Sequence, residues 1–258
     1  MTRISTEELV QWLDTTLQAH AFKDYCPNGL QVQGAPAIRH IIAGVTASQA
    51  LLDIAAERGA DAVLVHHGWF WKNESPRIVG LKHARLSTAL KHNLNVIAYH
   101  LPLDTHPTLG NNAALGRILD IEPLRNPDGL PLTCGPDSLI WLGAMAVPPT
   151  LENLGKHIAD RLQRRPLTVG NPQQTCRRIA WCTGGAQGMM QAAIDAGADV
   201  YITGEASEPN FHLARESGIG FIAAGHHATE RYGVQSLGEA ITRQFGVQVD
   251  FVDLDNPI

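Results

Sequence analysis

The amino-acid sequence predicts an α/β protein made of two related α/β halves, with mostly parallel sheets and a metal site in the cleft between them. Three observations carry this. Short apolar runs of 4–6 residues alternate with helical patterns of 10–15 residues, the signature of parallel βαβ units. One such unit occurs twice: VTASQALLDIAAERGADAVLVHHG (45–68) and CTGGAQGMMQAAIDAGADVYITGE (182–205) both run Thr, small residues, Gln, an amphipathic helix, Gly-Ala-Asp and an apolar strand. Histidines and carboxylates gather just past the carboxyl ends of the apolar runs, the edge at which open α/β sheets bind ligands.

The elements follow in order. MTRISTEELVQWL opens directly into an amphipathic helix, with no signal-peptide pattern, so the cytoplasm is the expected compartment. In the first half, strands are predicted near 40–45, 62–65 and 95–99; in the second, near 139–147, 179–182, 199–203 and 220–224. EPLRNPDGLPLTCGPD (122–137) carries four prolines and reads as a linker. The first half is therefore placed at 1–124, the linker at 125–137 and the second half at 138–258. The final VQVDFVDLDNPI alternates like a strand and is compatible with either sheet, including a return to the first half. With one residue inserted in the second copy, Gly59-Ala60-Asp61 aligns with Gly197-Ala198-Asp199, and His66-His67 with Gly204-Glu205.

Composition excludes several function classes. The 258 residues are 44% hydrophobic and 17% charged, a globular balance. Twenty basic against 25 acidic residues leave a net charge of −5, which argues against a nucleic-acid partner. No apolar run approaches the ~20 residues needed to cross a bilayer, so no membrane partner is expected. The four cysteines are scattered without a C-x-x-C and read as buried thiols. No P-loop pattern is present.

Twelve histidines against four cysteines point to a metal site of imidazole and carboxylate type. His66 and His67 follow the run AVLV, His100 and Asp104 follow NVIAY, Glu205 follows VYIT, and His226 and Glu230 follow FIAAG. Each cluster alone has an ordinary structural explanation. Adjacent histidines point to opposite faces of a strand unless the backbone turns, and Gly68 supplies that freedom. His226 and Glu230 share one helix face. Pro102 makes the His100–Asp104 segment a loop. Taken together, His66, His67, His226, Asp104 and Glu230 supply three nitrogens and two carboxylates. That set suits two divalent ions ~3.5–4 Å apart with a bridging carboxylate and open positions for water. Zn, Mn, Fe, Co and Ni are all compatible with a site lacking thiolate. The summed charge of ions, carboxylates and a bridging hydroxide is about +1, which favours an anionic substrate.

The stretches DYCPNGLQVQG (24–34), GVTASQALLD (44–53), GADAVLVHHGWFW (59–71), HLPLDTHPTLGNN (100–112), TGE (203–205) and AAGHHATERYG (223–233) resemble the Nif-three-like family of dinuclear-metal proteins, the GTP cyclohydrolase type 2 homologues. The resemblance covers essentially the whole chain. It implies metal ligands at His66, His67, Asp104, His226 and Glu230, a toroidal homohexamer, and for some members hydrolytic opening of the guanine ring. A metal-bound water that ionises near neutral pH could attack an electron-poor ring carbon, with His100 or Glu205 moving protons. Thr183-Gly184-Gly185 is either a phosphate-binding helix start or a tight packing turn. Trp69, Phe70 and Trp71 either stack on a base or belong to core or interface. The expected function is a dinuclear metal-dependent hydrolase acting on a nucleotide or related heterocycle. The alternatives are a metal-handling protein and a metal-stabilised interaction scaffold.

Overall fold

The computed structural model describes residues 2–258. The chain forms two compact units: residues up to Gly110 with Gly233–Asp255, and Asn111–Tyr232 with Asn256–Ile258. The units therefore divide the chain elsewhere than 1–124 and 138–258, and each contains its own sheet.

In the first unit the strand order is Gln248–Phe251, His40–Thr46, Ala62–His67, Asn95–Ala98 and Gly29–Val32. The first four are parallel, and Gly29–Val32 closes the edge antiparallel. The three central strands, His40–Thr46, Ala62–His67 and Asn95–Ala98, are apolar over most of their length because helices cover both faces. Their alternate residues divide between two cores. Ile41, Ala43, Leu64 and Ile97 face Leu9 and Leu13 of the helix Thr6–Thr16 and Leu237 and Ile241 of the C-terminal helix. Ile42, Val63, Val65 and Val96 face Leu51, Leu52 and Ala55 of the helix Gln49–Glu57. That period-2 split is the pleat written in side chains. Ser5 and Ser48 cap the two helices by accepting from Glu8 N and Leu51 N. The C-terminal strand thus belongs to the first half, paired in parallel with His40–Thr46.

The second unit is built on three parallel strands, Ile179–Trp181, Val200–Thr203 and Gly220–Ala223. Its flanks are antiparallel: Leu167–Val169 on one side, Ile140–Ala144 on the other. The strand expected at 139–147 is shorter, ends at Ala144 and is antiparallel to its neighbour. The proline-rich stretch is not a linker. Glu122–Pro123 and Thr133–Cys134 both pair with Ile140–Ala144 as the edge of this sheet. Its prolines are tolerated there because an edge strand leaves one side of its backbone unpaired. Leu151, Leu154, Ile158 and Leu162 of the helix Leu151–Leu162 bury against Ile179, Val200 and Ile222.

Both units repeat the order strand, helix, strand, helix, strand, helix. The aligned aspartates do the same work in each. Asp61 Oδ2 accepts from the backbone N–H of Arg39 and His40, and Asp199 Oδ2 from those of Arg177 and Arg178. Each carboxylate ties the start of one strand to the start of the next. Among the described residues no helix is long and apolar enough to cross a membrane, and all four cysteines are free thiols.

Candidate metal centre

In the first unit, His66 and His67 are the last two residues of the strand Ala62–His67. Their rings lie with centroids 4.5 Å apart, and His100 joins them at 5.0 Å from His66 and 5.8 Å from His67. Donor atoms of these three histidines all lie within 4.8 Å of one another. His66 is fully buried, and its Nδ1 lies 3.0 Å from the carbonyl oxygen of Tyr99. A carbonyl only accepts, so Nδ1 carries the proton and Nε2 keeps the lone pair that a cation could use. Nε2 lies 3.5 Å from Oδ1 of Asp104, itself 7% exposed. His67 Nδ1 meets Thr46 Oγ1 at 3.3 Å across the neighbouring strand.

The segment expected to be a loop is a short helix, Leu101–Thr105. Pro102 sits in its first turn, where no N–H is required of it. Asp104 N–H donates to His100 O at 3.1 Å, so the turn sets the spacing of the two side chains. Gly68 serves close approach rather than a left-handed turn. A Cβ there would collide with the Gln31 side chain, whose Oε1 accepts from Trp69 N–H and whose Nε2 donates to Trp69 O. Of the aromatic triplet, Trp69 is core, 7% exposed with its indole N–H on Ala47 O. Trp71 stands edge-on to His100 at 5.1 Å.

His100 is held by residues that the sequence pattern did not single out. Its Nδ1 lies 2.6 Å from Asp24 Oδ1, and its backbone N–H donates to Asn28 Oδ1 at 2.8 Å. Asp24 Oδ2 accepts from Asn28 Nδ2 and from Leu101 N–H. Burial alone would raise the Asp24 carboxyl, but His100, Asn28 and the Leu101 amide together hold it down at about 2. Both residues lie in DYCPN, a stretch distinctive enough to carry the family resemblance but silent about its partner 76 positions later. Burial and the adjacent Asp24 push the Cys26 thiol up to about 12, which keeps it protonated through the neutral range.

In the second unit, His226 opens the helix His226–Phe245 and Glu230 follows one turn later, 3% exposed. His226 Nε2 lies 3.2 Å from Glu230 Oε2, and its Nδ1 lies 2.6 Å from Glu205 Oε1. Glu205 Oε2 accepts from Gln187 Nε2. Burial would lower the imidazole, but Glu230 and Glu205 outweigh it and raise His226 to about 9. The turn at Thr183-Gly184-Gly185 is a packing turn. Thr183 N–H donates to Asn112 Oδ1, Gly184 N–H to Thr229 Oγ1 and Ala186 N–H to Thr203 Oγ1, so these amides are already used. Gly184 has φ of 67°, and a Cβ on it would run into Glu230 Oε1.

The first unit thus gathers His66, His67, His100 and Asp104, and the second gathers Glu205, His226 and Glu230. The donor chemistry fits divalent cations. Each of His66, His67 and His226 is engaged through Nδ1 by a carbonyl, a hydroxyl or a carboxylate, the outer partner that orients metal-ligating imidazoles. In His66 and His226 the opposite nitrogen faces a buried carboxylate oxygen. The glycine at 184 leaves the room that Glu230 occupies.

The whole chain also resembles known proteins. The chain matches the family model Duf34/NIF3 (NGG1p interacting factor 3) over residues 4–257. A Pseudomonas aeruginosa protein named GTP cyclohydrolase 1 type 2 homolog is 53% identical over 255 residues, covering 98% of this chain and 99% of that protein. An Escherichia coli protein of the same name is 47% identical, covering 97% of this chain and 98% of that protein. Among solved structures, the protein ybgI, titled as of unknown function, superposes with a TM-score of 0.93 at 45% identity, covering 99% of this chain and 100% of that one. The protein TTHA1606 from Thermus thermophilus superposes with a TM-score of 0.85 at 32% identity, covering 99% and 100%. With its whole length matched and relatives near 50% identity, the chain belongs to the Duf34/NIF3 family.

Proposed function

We propose that this protein is a dinuclear metal-dependent hydrolase acting on a nucleotide or related heterocycle, in the manner that the name GTP cyclohydrolase 1 type 2 homolog suggests for its relatives. The two ions are assigned to His66, His67, Asp104, His226 and Glu230. The observation that carries the assignment is the shared wiring of the imidazoles. Nδ1 is engaged by the fold, and in His66 and His226 Nε2 faces a carboxylate. Bound divalent ions, whether Zn, Mn, Fe, Co or Ni, would supply Lewis acidity and a water that ionises near neutral pH.

His100 is assigned to proton transfer. Its ring stands beside His66 and His67, and its Nδ1 is already held by Asp24. Glu205 is assigned to holding His226 rather than to shuttling protons itself, because both of its oxygens are engaged, by His226 and by Gln187. The same reading takes an anionic small-molecule substrate, a toroidal hexamer of this chain and a cytoplasmic setting. Mass photometry of the purified protein tests the assembly.

The deciding experiment incubates metal-loaded protein with a panel of nucleotides, phosphoesters and heterocycles, with products followed by mass spectrometry. Turnover that rises from pH 5 to pH 8, vanishes with chelator and returns on adding Mn, Zn or Co supports the hydrolase. His100→Ala should keep its metal and lose about 10²-fold or more in rate. No metal-dependent turnover across the panel would leave metal handling or a scaffold as the function.

A further inference from the structure

We infer that Asp24 is a positioning residue, which holds His100 in the tautomer protonated on Nδ1 and so makes Nε2 the atom that exchanges protons with substrate. This rests on the assignment of His100 to proton transfer, and it deepens that assignment by fixing which nitrogen acts and what directs it.

The argument starts from donors and acceptors. An ionised carboxylate only accepts, so the 2.6 Å contact between Asp24 Oδ1 and His100 Nδ1 requires the proton to lie on Nδ1. Asp24 remains ionised through the neutral range because His100, Asn28 and the Leu101 amide outweigh the cost of its burial. Its side chain is 3% exposed and that of His100 is 14% exposed, so little water competes for the contact. The carboxylate is itself fixed. Oδ1 also accepts from Tyr25 N–H at 2.6 Å, and Oδ2 from Asn28 Nδ2 and Leu101 N–H, both at 2.9 Å. Asn28 Oδ1 in turn receives the backbone N–H of His100. The ring is therefore held at Nδ1 and at its own backbone, with Nε2 on the opposite edge.

In the proton-transfer step, Nε2 takes a proton from the attacking water and returns it to the leaving nitrogen. The Nδ1 proton stays on the ring, and Asp24 stays ionised and stabilises the transient imidazolium. The same logic governs a carboxylate–histidine pair wherever one imidazole nitrogen must be kept as a base. Glu205 stands in the same relation to His226, where the nitrogen left over serves a cation instead.

The substitution Asp24→Asn separates positioning from plain support. Two donors, Asn28 Nδ2 and Leu101 N–H, converge on Oδ2, against the single backbone donor, Tyr25 N–H, on Oδ1. The amide oxygen of asparagine is expected to settle there, which turns its NH₂ group toward His100 Nδ1 and drives the ring proton to Nε2. The test uses full-length, metal-free protein at pH 8 with ¹⁵N-labelled histidine, the His100 signals being identified by their loss in His100→Gln. Wild type should show Nδ1 in the protonated shift range and Nε2 in the bare range, and Asp24→Asn should exchange the two. Metal content on reloading should equal wild type, and turnover of whatever substrate the panel identifies should fall about 10²-fold or more.

A wild-type spectrum with the proton on Nε2 overturns the inference, and it needs no variant to fold. So does an Asp24→Asn protein that keeps the Nδ1 tautomer, one that loses metal, or one that turns over as fast as wild type. Should wild type hydrolyse nothing, the hydrolase reading fails on its own, while the tautomer spectra still decide whether Asp24 directs His100.

Discussion

Glu205 Oε1 lies 2.6 Å from Nδ1 of His226, on the far side of the ring from the nitrogen that faces Glu230. A carboxylate in that place fixes the imidazole's orientation and raises its basicity as a ligand. Glu205→Gln should therefore leave folding intact while weakening metal binding by about 10–100-fold. Glu230→Ala should go further and lose at least one of about two ions per chain. Isothermal titration together with elemental analysis of the reconstituted proteins distinguishes the two effects.

Metal uptake should release a proton from His226. Without metal, the two glutamates outweigh burial and hold this imidazole protonated up to about pH 9, whereas a ligating imidazole must be neutral. The pKa is raised above the ordinary value of 6.5, so protonated His226 stabilises the metal-free fold fully below pH 6.5. That contribution is lost as the pH rises through about 9. Between these limits metal affinity should increase with pH, and calorimetry at pH 7.5 in buffers of differing ionisation enthalpy should register about one proton released from this site.

Acid should weaken the first unit through Asp24. Its carboxyl is lowered from 3.8 to about 2, so the stability it contributes is complete above pH 4 and is lost as the pH falls toward 2. The shift corresponds to about 2 kcal/mol. Asp24→Ala should therefore flatten the acid limb of the unfolding free energy measured by urea titration between pH 5 and pH 2.

Gly184→Ala should damage both stability and metal binding. The residue has φ of 67°, a conformation costing about 1–3 kcal/mol in a residue that carries a Cβ. The added carbon would also displace Glu230 Oε1. A lowered thermal midpoint accompanied by reduced metal content is expected. A protein that only loses stability would show that Glu230 finds another place for its carboxylate.

The repeat and its consequence are readable along the chain. Gly-Ala-Asp at 59–61 and 197–199 places Asp61 and Asp199 in the same bonds to the preceding strand start. Short apolar runs and helical periodicity are local properties, so the parallel strands and the strand-end positions of the histidines were legible. The long-range choices came from the fold alone. The C-terminal strand pairs with His40–Thr46, the proline-rich stretch forms a sheet edge, and Pro102 begins a helix. Asp24 reaches His100 across 76 positions, and the turn at Gly184 makes room for Glu230. Strand pairing and buried hydrogen bonds depend on which surfaces meet once the cores close, and no local pattern encodes that choice. A residue such as Asp24 therefore shows only its type in sequence, and its chemistry emerges when the fold supplies the imidazole it holds.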